Sequence, residues 1–344
     1  MAVTKIAAST SPTGGTRINM ALSEFQLIDR VFAARASARA DVPLGIGDDA
    51  ALLRVPADVE LAVAIDGLHA GIHFPEDTDP RAIGHKALAV NLSDLAAMGA
   101  EPAWATLFLS LPDPDEAFAC EFANGFFTLA ERFGVALVGG DTVRGPLCAV
   151  VQAHGFVPAG KALRRSGARP GDGIYVTGSL GDAGAGLGLV QKRLEIGGSD
   201  GDFLRGRLDY PEPRLKAGRA LLEVASAAID ISDGVRADLG HILSQSGVGG
   251  RIEIGSLPRS EVLLRSLPEP AGIDLALSAG DDYELCFTVS PDREPRLQAL
   301  AEGMECPITR IGRIEPESGL RLFGPAGGVY RTYEGSGYDH FKGH

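Results

Sequence analysis

The chain has 344 residues, 45% of them hydrophobic, enough for two ordinary domains with sizeable cores. Its net charge of −13 argues against a general nucleic-acid or anionic-membrane surface. There is no apolar run of about 18 residues. The four cysteines (Cys120, Cys148, Cys286, Cys306) are far apart and form no CxxC. A spanning helix, a zinc site and a disulfide framework are therefore not expected, and a reduced cytoplasmic setting fits.

Residues 1–20 are rich in Ser, Thr and Gly and lack the apolar core of a signal peptide, so they read as a loose extension. Structure is expected to begin at "SEFQ", with Ser23 as N-cap, Gln26 completing a capping box, and Phe25, Ile28 and Phe32 on one helical face. "ELAVAID" (60–66) reads as a short strand ending on Asp66. Asp79-Pro80 opens a long helix that runs to Gly99 with Leu88, Leu92 and Leu95 as its core stripe. A second helix is expected from Asp113-Pro114 to Gly134, burying Phe118, Phe122, Leu129 and Phe133. "VALVGGDT" and "LCAVVQAHGFV" read as strands.

The polar, basic, Gly/Pro-rich stretch 158–172 marks a domain boundary, giving an N-terminal domain over 21–158 and a C-terminal one over 159–344. Beyond it, "GIYVTG", a helix from Asp182, a helix from Pro213, "AIDI", a helix from Gly234, "RIEI", "YELCFTV", a helix near 292–302 and "ITRIGRI" alternate. That alternation predicts an α/β sandwich, so the fold class expected is α/β (α+β) in two domains.

Aspartates recur where elements end: Asp48 and Asp49 in "GIGDDAALL", Asp66, Asp94 in "NLSDLAAMG", Asp141 in "GGDTVRG", Asp230 and Asp233 in "AIDISDG", Asp281 and Asp282 in "AGDDYEL". Most such residues are caps or turn formers, and Asp48, Asp182 and Asp238 need be nothing more. Two are harder to read that way. Asp94 lies inside an apolar helix with Asn91 on the same face, a pair that needs a partner or a ligand. Asp230 alternates with Ile229 and Ile231 within a strand. Several carboxylates at strand ends suit Mg2+ bridging a phosphate, since carboxylate oxygens are the ligands of hard cations. A calcium loop fails, because position twelve counted from Asp230 is His241. The Walker, kinase and nucleophile-elbow motifs are absent. His69, His73 and His85 lack metal spacing.

Together, "GIGDDAALL", "HKALAVNLSDLAAMGAEP", "GGDTVRGPL", "RRSGARPGDGIYVTG", "AIDISDGVRADLGHI", "DDYELCFTV" and the terminal "GYDHF" resemble the thiamine-monophosphate kinase family, in its order, from about residue 23 to the end. That family belongs to the aminoimidazole-ribonucleotide-synthetase-like superfamily. The resemblance implies a homodimer in which two N-terminal domains share a β-barrel, with ATP bound near the interface and an α/β domain following. It implies transfer of the γ-phosphoryl of ATP to thiamine monophosphate, giving thiamine diphosphate and ADP. It also implies Mg2+ ligands at Asp49, Asp66, Asp94, Asp141, Asp230 and Asp233, four of which (Asp49, Asp141, Asp230, Asp233) form the catalytic set. Gly140, Asp141, Arg165 and Ser232 fall at nucleotide positions. His73 falls at the thiamine monophosphate position, with Lys86 and Asn91 at its border. Three stretches depart from the family pattern: Ala64-Ile65 replaces Ser-Thr, Asp281 replaces a substrate-facing Glu, and Gly335 stands near an expected aromatic, with Tyr333 as the replacement ring. Another ATP-dependent synthetase of the superfamily and a non-catalytic thiamine-phosphate or nucleotide binder stay open as alternatives.

Overall fold

The computed structural model describes residues 24–324 and 328–333. The first element is a helical turn, α1 (Glu24–Leu27), which runs on through a π turn, Ile28–Phe32, and a 3-10 turn, Ala33–Arg35. Ser23 lies outside the described residues. The expected helix is present, but its buried residues are Leu27, Val31 and Phe32, whereas Phe25 is 74% exposed. The switch to π winding at Ile28 rotates the apolar face away from a regular 3.6-residue stripe.

Four strands form the first sheet: β1 (Val59–His69), β2 (Glu101–Leu111), β3 (Ala136–Arg144) and β4 (Cys148–Pro158), in the order β1-β4-β2-β3. The strand predicted to end at Asp66 continues to His69. β2 and β3 are parallel, and the helix α3 (Glu116–Phe133) makes the crossover between them. That helix starts later than Asp113-Pro114 suggests, because Asp115 caps it by accepting from the N–H groups of Ala117 and Phe118. Gly134 ends it in a left-handed conformation. Helix α2 (Pro80–Ala97) begins as read, with Asp79 accepting from the Arg81 N–H.

The second sheet has seven strands: β5 (Gly173–Thr177), β6 (Ala225–Ile231), β7 (Gly249–Glu253), β8 (Glu284–Val289), β9 (Ile308–Glu315), β10 (Gly319–Phe323) and β11 (Val329–Tyr333). Their order is β11-β10-β7-β9-β5-β8-β6. Its helices are α4 (Asp182–Val190), α5 (Gly198–Asp209), α6 (Leu215–Leu221), α7 (Val235–Ser246), α8 (Glu261–Ser266), α9 (Glu269–Ser278) and α10 (Glu294–Ala301). The fold is therefore mixed α/β on two sheets. The four-stranded sheet is open, with β1 and β3 as its edges, so this chain alone closes no barrel. Tyr333 lies in β11, while Gly335, "GYDHF" and residues 1–20 lie outside the described residues.

Helix α2 joins the two halves. Leu88, Leu92 and Leu95 are fully buried, as the stripe predicts, but most of the rest of the helix is buried too. One large core takes in α2, α3, the inner face of the first sheet, and Tyr175, Leu215, Leu285 and Phe287 from the second half. Phe122, Phe126 and Leu129 of α3 are fully buried in it, and each such side chain contributes about 1.5–3 kcal/mol by leaving water.

Candidate active site

Residues 44–52 form a small hairpin, closed by the Leu52 N–H donating to the Leu44 carbonyl at 2.8 Å. Its tip carries Asp48 and Asp49, tied by the Asp49 N–H donating to Asp48 Oδ1 at 2.8 Å. The tip faces the β3 segment Gly139–Thr142 across a cleft of about 710 Å³, which Phe25, Ile28 and Phe32 also line. A cleft of that volume suits a ligand of nucleotide size. The β2–β3 register shifts between Ala105 and Thr106, a bulge at this edge. Gly140 has φ +154°, and a Cβ there would sit 1.9 Å from the Leu107 carbonyl oxygen, so glycine is required and the backbone lies open toward the cleft. Asp49, Gly140 and Asp141 are exposed.

A second group forms where β1, α2 and β6 meet. The Asp66 N–H donates to Asn91 Oδ1 at 3.0 Å, and Asn91 Nδ2 donates to the Ala87 carbonyl at 3.0 Å. The fully buried Asn91 therefore has its partners within the protein and ties α2 to β1, which answers the polar-pair question without a ligand. Asp94, one turn on, is different. Burial raises its carboxyl to about 8, helped by the charges of Asp230 and Asp66, while Arg165 opposes. Asp230 accepts from Ser93 Oγ at 2.8 Å; burial raises it to about 6, with Ser93 and Arg165 opposing. Asp238 is also more than a cap. It is buried, accepts from the Asp233 N–H at 3.1 Å, and is raised to about 8 by burial and then by Asp230.

Asp66, Asp94 and Asp230 thus come together with Arg165. Asp49, Gly140 and Asp141 belong to the other cleft. Sheet register relates the two: Asp66 pairs with Val151, Val151 with Leu107, and Leu107 with Gly140. They lie on one row, three strand spacings or about 14 Å apart. Among the described residues no three His, Cys, Asp or Glu side chains form a ready-made metal cage.

The third group is cationic. Lys86, almost fully buried on α2, pairs with Asp281 Oδ1 at 3.0 Å, and the Tyr283 hydroxyl donates to the same oxygen at 3.2 Å. Lys86 and His73 line one small hollow with Thr78, whose buried hydroxyl has no hydrogen-bond partner among the described residues. His73 Nδ1 accepts from the His69 N–H at 3.0 Å. The Asp281 N–H donates to the Ser232 carbonyl at 2.9 Å, so this loop rides on the one that carries Asp230 and Asp233.

The raised carboxyls carry a pH consequence. Their folded values lie above the unfolded one near 3.8, so the fold binds protons that the unfolded chain does not. Stability without divalent cations should therefore rise on acidification from about pH 8.5 to about pH 7. Below that, His85 and His154 oppose, since burial lowers both. Melting temperatures across this window check the sign.

Family models for the N-terminal and C-terminal domains of AIR synthase related proteins match residues 47–157 and 169–324. The thiamine-monophosphate kinase of Salmonella typhimurium is 47% identical over 324 residues, covering 94% of this chain and 99% of the relative. The chain belongs to the thiamine-monophosphate kinase family. The crystal structure of the family's enzyme from Stenotrophomonas maltophilia is 49% identical with a TM-score of 0.82, over 88% of this chain and 96% of that one. AaThiL, solved in complex with AMPPCP and TMP, is 31% identical with a TM-score of 0.74, over 83% of this chain and 89% of that one.

Within this family fold, sequence reading missed Ser93, Asp238 and Tyr283. Each acts through a partner more than two residues away or through burial, which composition and spacing do not record.

Proposed function

We propose that this chain transfers the γ-phosphoryl group of ATP to thiamine monophosphate, giving thiamine diphosphate and ADP. Family membership and the TMP and AMPPCP complex of AaThiL support the substrates. The observation that carries the chemistry is the crowding of Asp66, Asp94 and Asp230 around a single arginine, which leaves excess negative charge where a polyphosphate would have to bind. An all-oxygen donor set of this kind fits Mg2+, which would screen the phosphates and balance charge developing on the transferred group. Asp66, Asp94, Asp230 and Asp233 in one group and Asp49 and Asp141 in the other would hold Mg2+, by way of more than one ion, since the two groups lie about 14 Å apart. The Gly140–Asp141 backbone, Arg165 and Ser232 would orient the nucleotide. His73, Lys86 and Asp281 would face the acceptor, whereas Tyr333, expected there from the sequence, lies on β11 at the opposite edge of the seven-stranded sheet from β6.

The nucleophile is a phosphate oxygen already ionised at neutral pH, so no general base is needed. It forms a bond to the γ-phosphorus as the bond from that phosphorus to the β-γ bridging oxygen breaks, and ADP leaves with the electron pair. The residues supply alignment and electrostatics. Purified protein with ATP, Mg2+ and thiamine monophosphate should release equimolar ADP and thiamine diphosphate. Calorimetric binding of both ligands without turnover would instead make it a binding protein.

We also propose a homodimer and an N-terminal domain that ends near residue 158. Edge strand β1 exposes Leu61, Val63 and Ile65 in alternation at 41, 52 and 60%, a row that a second copy would cover. Ile65→Lys should halve the mass measured by light scattering; a parent already monomeric would reject the dimer. Among the described residues no helix is long and apolar enough to cross a membrane.

A further inference from the structure

The stretch Asp281–Tyr283 is strained. Asp281 and Tyr283 have φ of +67° and +50°, a left-handed region that non-glycine residues avoid. Such a conformation persists only when its surroundings fix it, and here the fixing groups alternate with the strained ones. Asp282 is buried and accepts from the Gly181 N–H at 2.8 Å. Glu284, with no exposed surface, accepts from Arg214 Nε at 2.6 Å and Nη2 at 2.5 Å, from Arg207 Nη2 at 3.1 Å and from Thr177 Oγ1 at 2.7 Å. On the other side, the N–H groups of Asp281 and Tyr283 donate to the carbonyls of Ser232 and Ile231. What this frame presents is Asp281 and the Tyr283 hydroxyl, both set against Lys86 or its partner oxygen.

We infer that Arg214, through its two-pronged bond to Glu284, is a positioning residue for the acceptor end of the site. Its hydrogen bonds go to Glu284 and not to Asp281 or Lys86. It clamps the carboxylate that ends the strained stretch, and so fixes where Asp281 and Tyr283 meet Lys86. A two-pronged guanidinium bond fixes direction as well as distance, which a lysine ammonium does not. The nucleotide cleft lined by Asp49, Gly140 and Asp141 lies on the other sheet and does not depend on the clamp. The inference rests on the proposed kinase reading for its substrate, but not for its geometry.

The test compares the parent, Arg214→Met, Arg214→Lys and the double variant Arg214→Met with Glu284→Gln. Arg214→Met leaves Glu284 with Arg207 Nη2 at 3.1 Å, and the double variant removes the carboxylate too, leaving Arg207 its pairing with Asp182 at 3.8 Å, so neither strands an unpaired buried carboxylate. Arg214→Met and the double variant should raise KM for thiamine monophosphate about tenfold and hold KM for ATP within about twofold, with Arg214→Lys in between. Both KM values moving together, or neither moving while the melting temperature falls, would overturn the positioning role and leave Arg214 a stability residue. A parent that phosphorylates no thiamine monophosphate would reject the kinase reading instead. Amide exchange then decides the clamp: the Asp281 and Tyr283 amides should exchange at least about tenfold faster in the double variant, while those of β4 stay unchanged. Unchanged exchange at 281 and 283 overturns the inference whatever the activity.

Discussion

Replacing Asp230 by Asn should cut phosphoryl transfer about a thousandfold, the loss typical of removing one preorganised group that meets transition-state charge. The same variant should be more stable than its parent without divalent cations. Asp230 is 5% exposed, and burial raises its carboxyl from 3.8 to about 6. Keeping it ionised at neutral pH therefore costs the fold about 3 kcal/mol. Asparagine keeps the shape and an oxygen for the Ser93 hydroxyl. It also removes the charge that helps raise Asp94 and Asp238. Higher melting temperature with lost activity is the mark of a group retained for function against stability. An Asp230→Asn protein with parental kcat/KM would remove Asp230 from the site. A lower melting temperature would mean that Arg165 and Ser93 already balance the cluster.

Asp94 and Asp230 were legible because local chemistry could not absorb them: a cap does not explain an aspartate inside an apolar helix or one alternating with isoleucines. Asn91 carried the same signal but found its partners in the backbone, because hydrogen-bond satisfaction depends on the neighbouring strand. Asp238 was hidden by sitting in a first helical turn, where aspartate is common. Three strands of the first sheet, β1, β3 and β4, were readable as apolar runs, but β2 (Glu101–Leu111), which lies in the middle of the sheet, was not read as a strand between two long helices. Helix α5 was not readable either, because "GSDGDFLRGRLD" buries only Gly201, Leu204 and Leu208. The pairing of Arg214 with Glu284 spans 70 positions and leaves no periodic trace.

Gly84→Ala and Gly125→Ala should each destabilise the protein by about 3 kcal/mol or more, an overpacking cost at the high end for one added methyl. In most helix interiors the same change stabilises by up to about 1 kcal/mol, so the expected sign is opposite to propensity. The reason is where α2 and α3 cross. A Cβ on Gly84 would sit 1.9 Å from the Phe122 carbonyl oxygen, and one on Gly125 would sit 1.8 Å from that of Arg81. The obstacle in each case is backbone, which cannot rotate aside, so the helices must part. Gly206→Ala in α5 is the control, since nothing lies within 4 Å of its added Cβ. Urea unfolding of the three variants measures the contrast. Helix α2 also carries Asp94, the Asn91 bond to Asp66, the Ser93 bond to Asp230, and Lys86. Pushing it off α3 therefore moves two of the three groups of the site at once, the carboxylate group and the Lys86–Asp281 group, and phosphoryl transfer should fall in the fraction that still folds. If Gly84→Ala is neutral in both stability and activity, the two helices do not meet backbone to backbone, and the placement of Asp94 against Asp230 loses its main support.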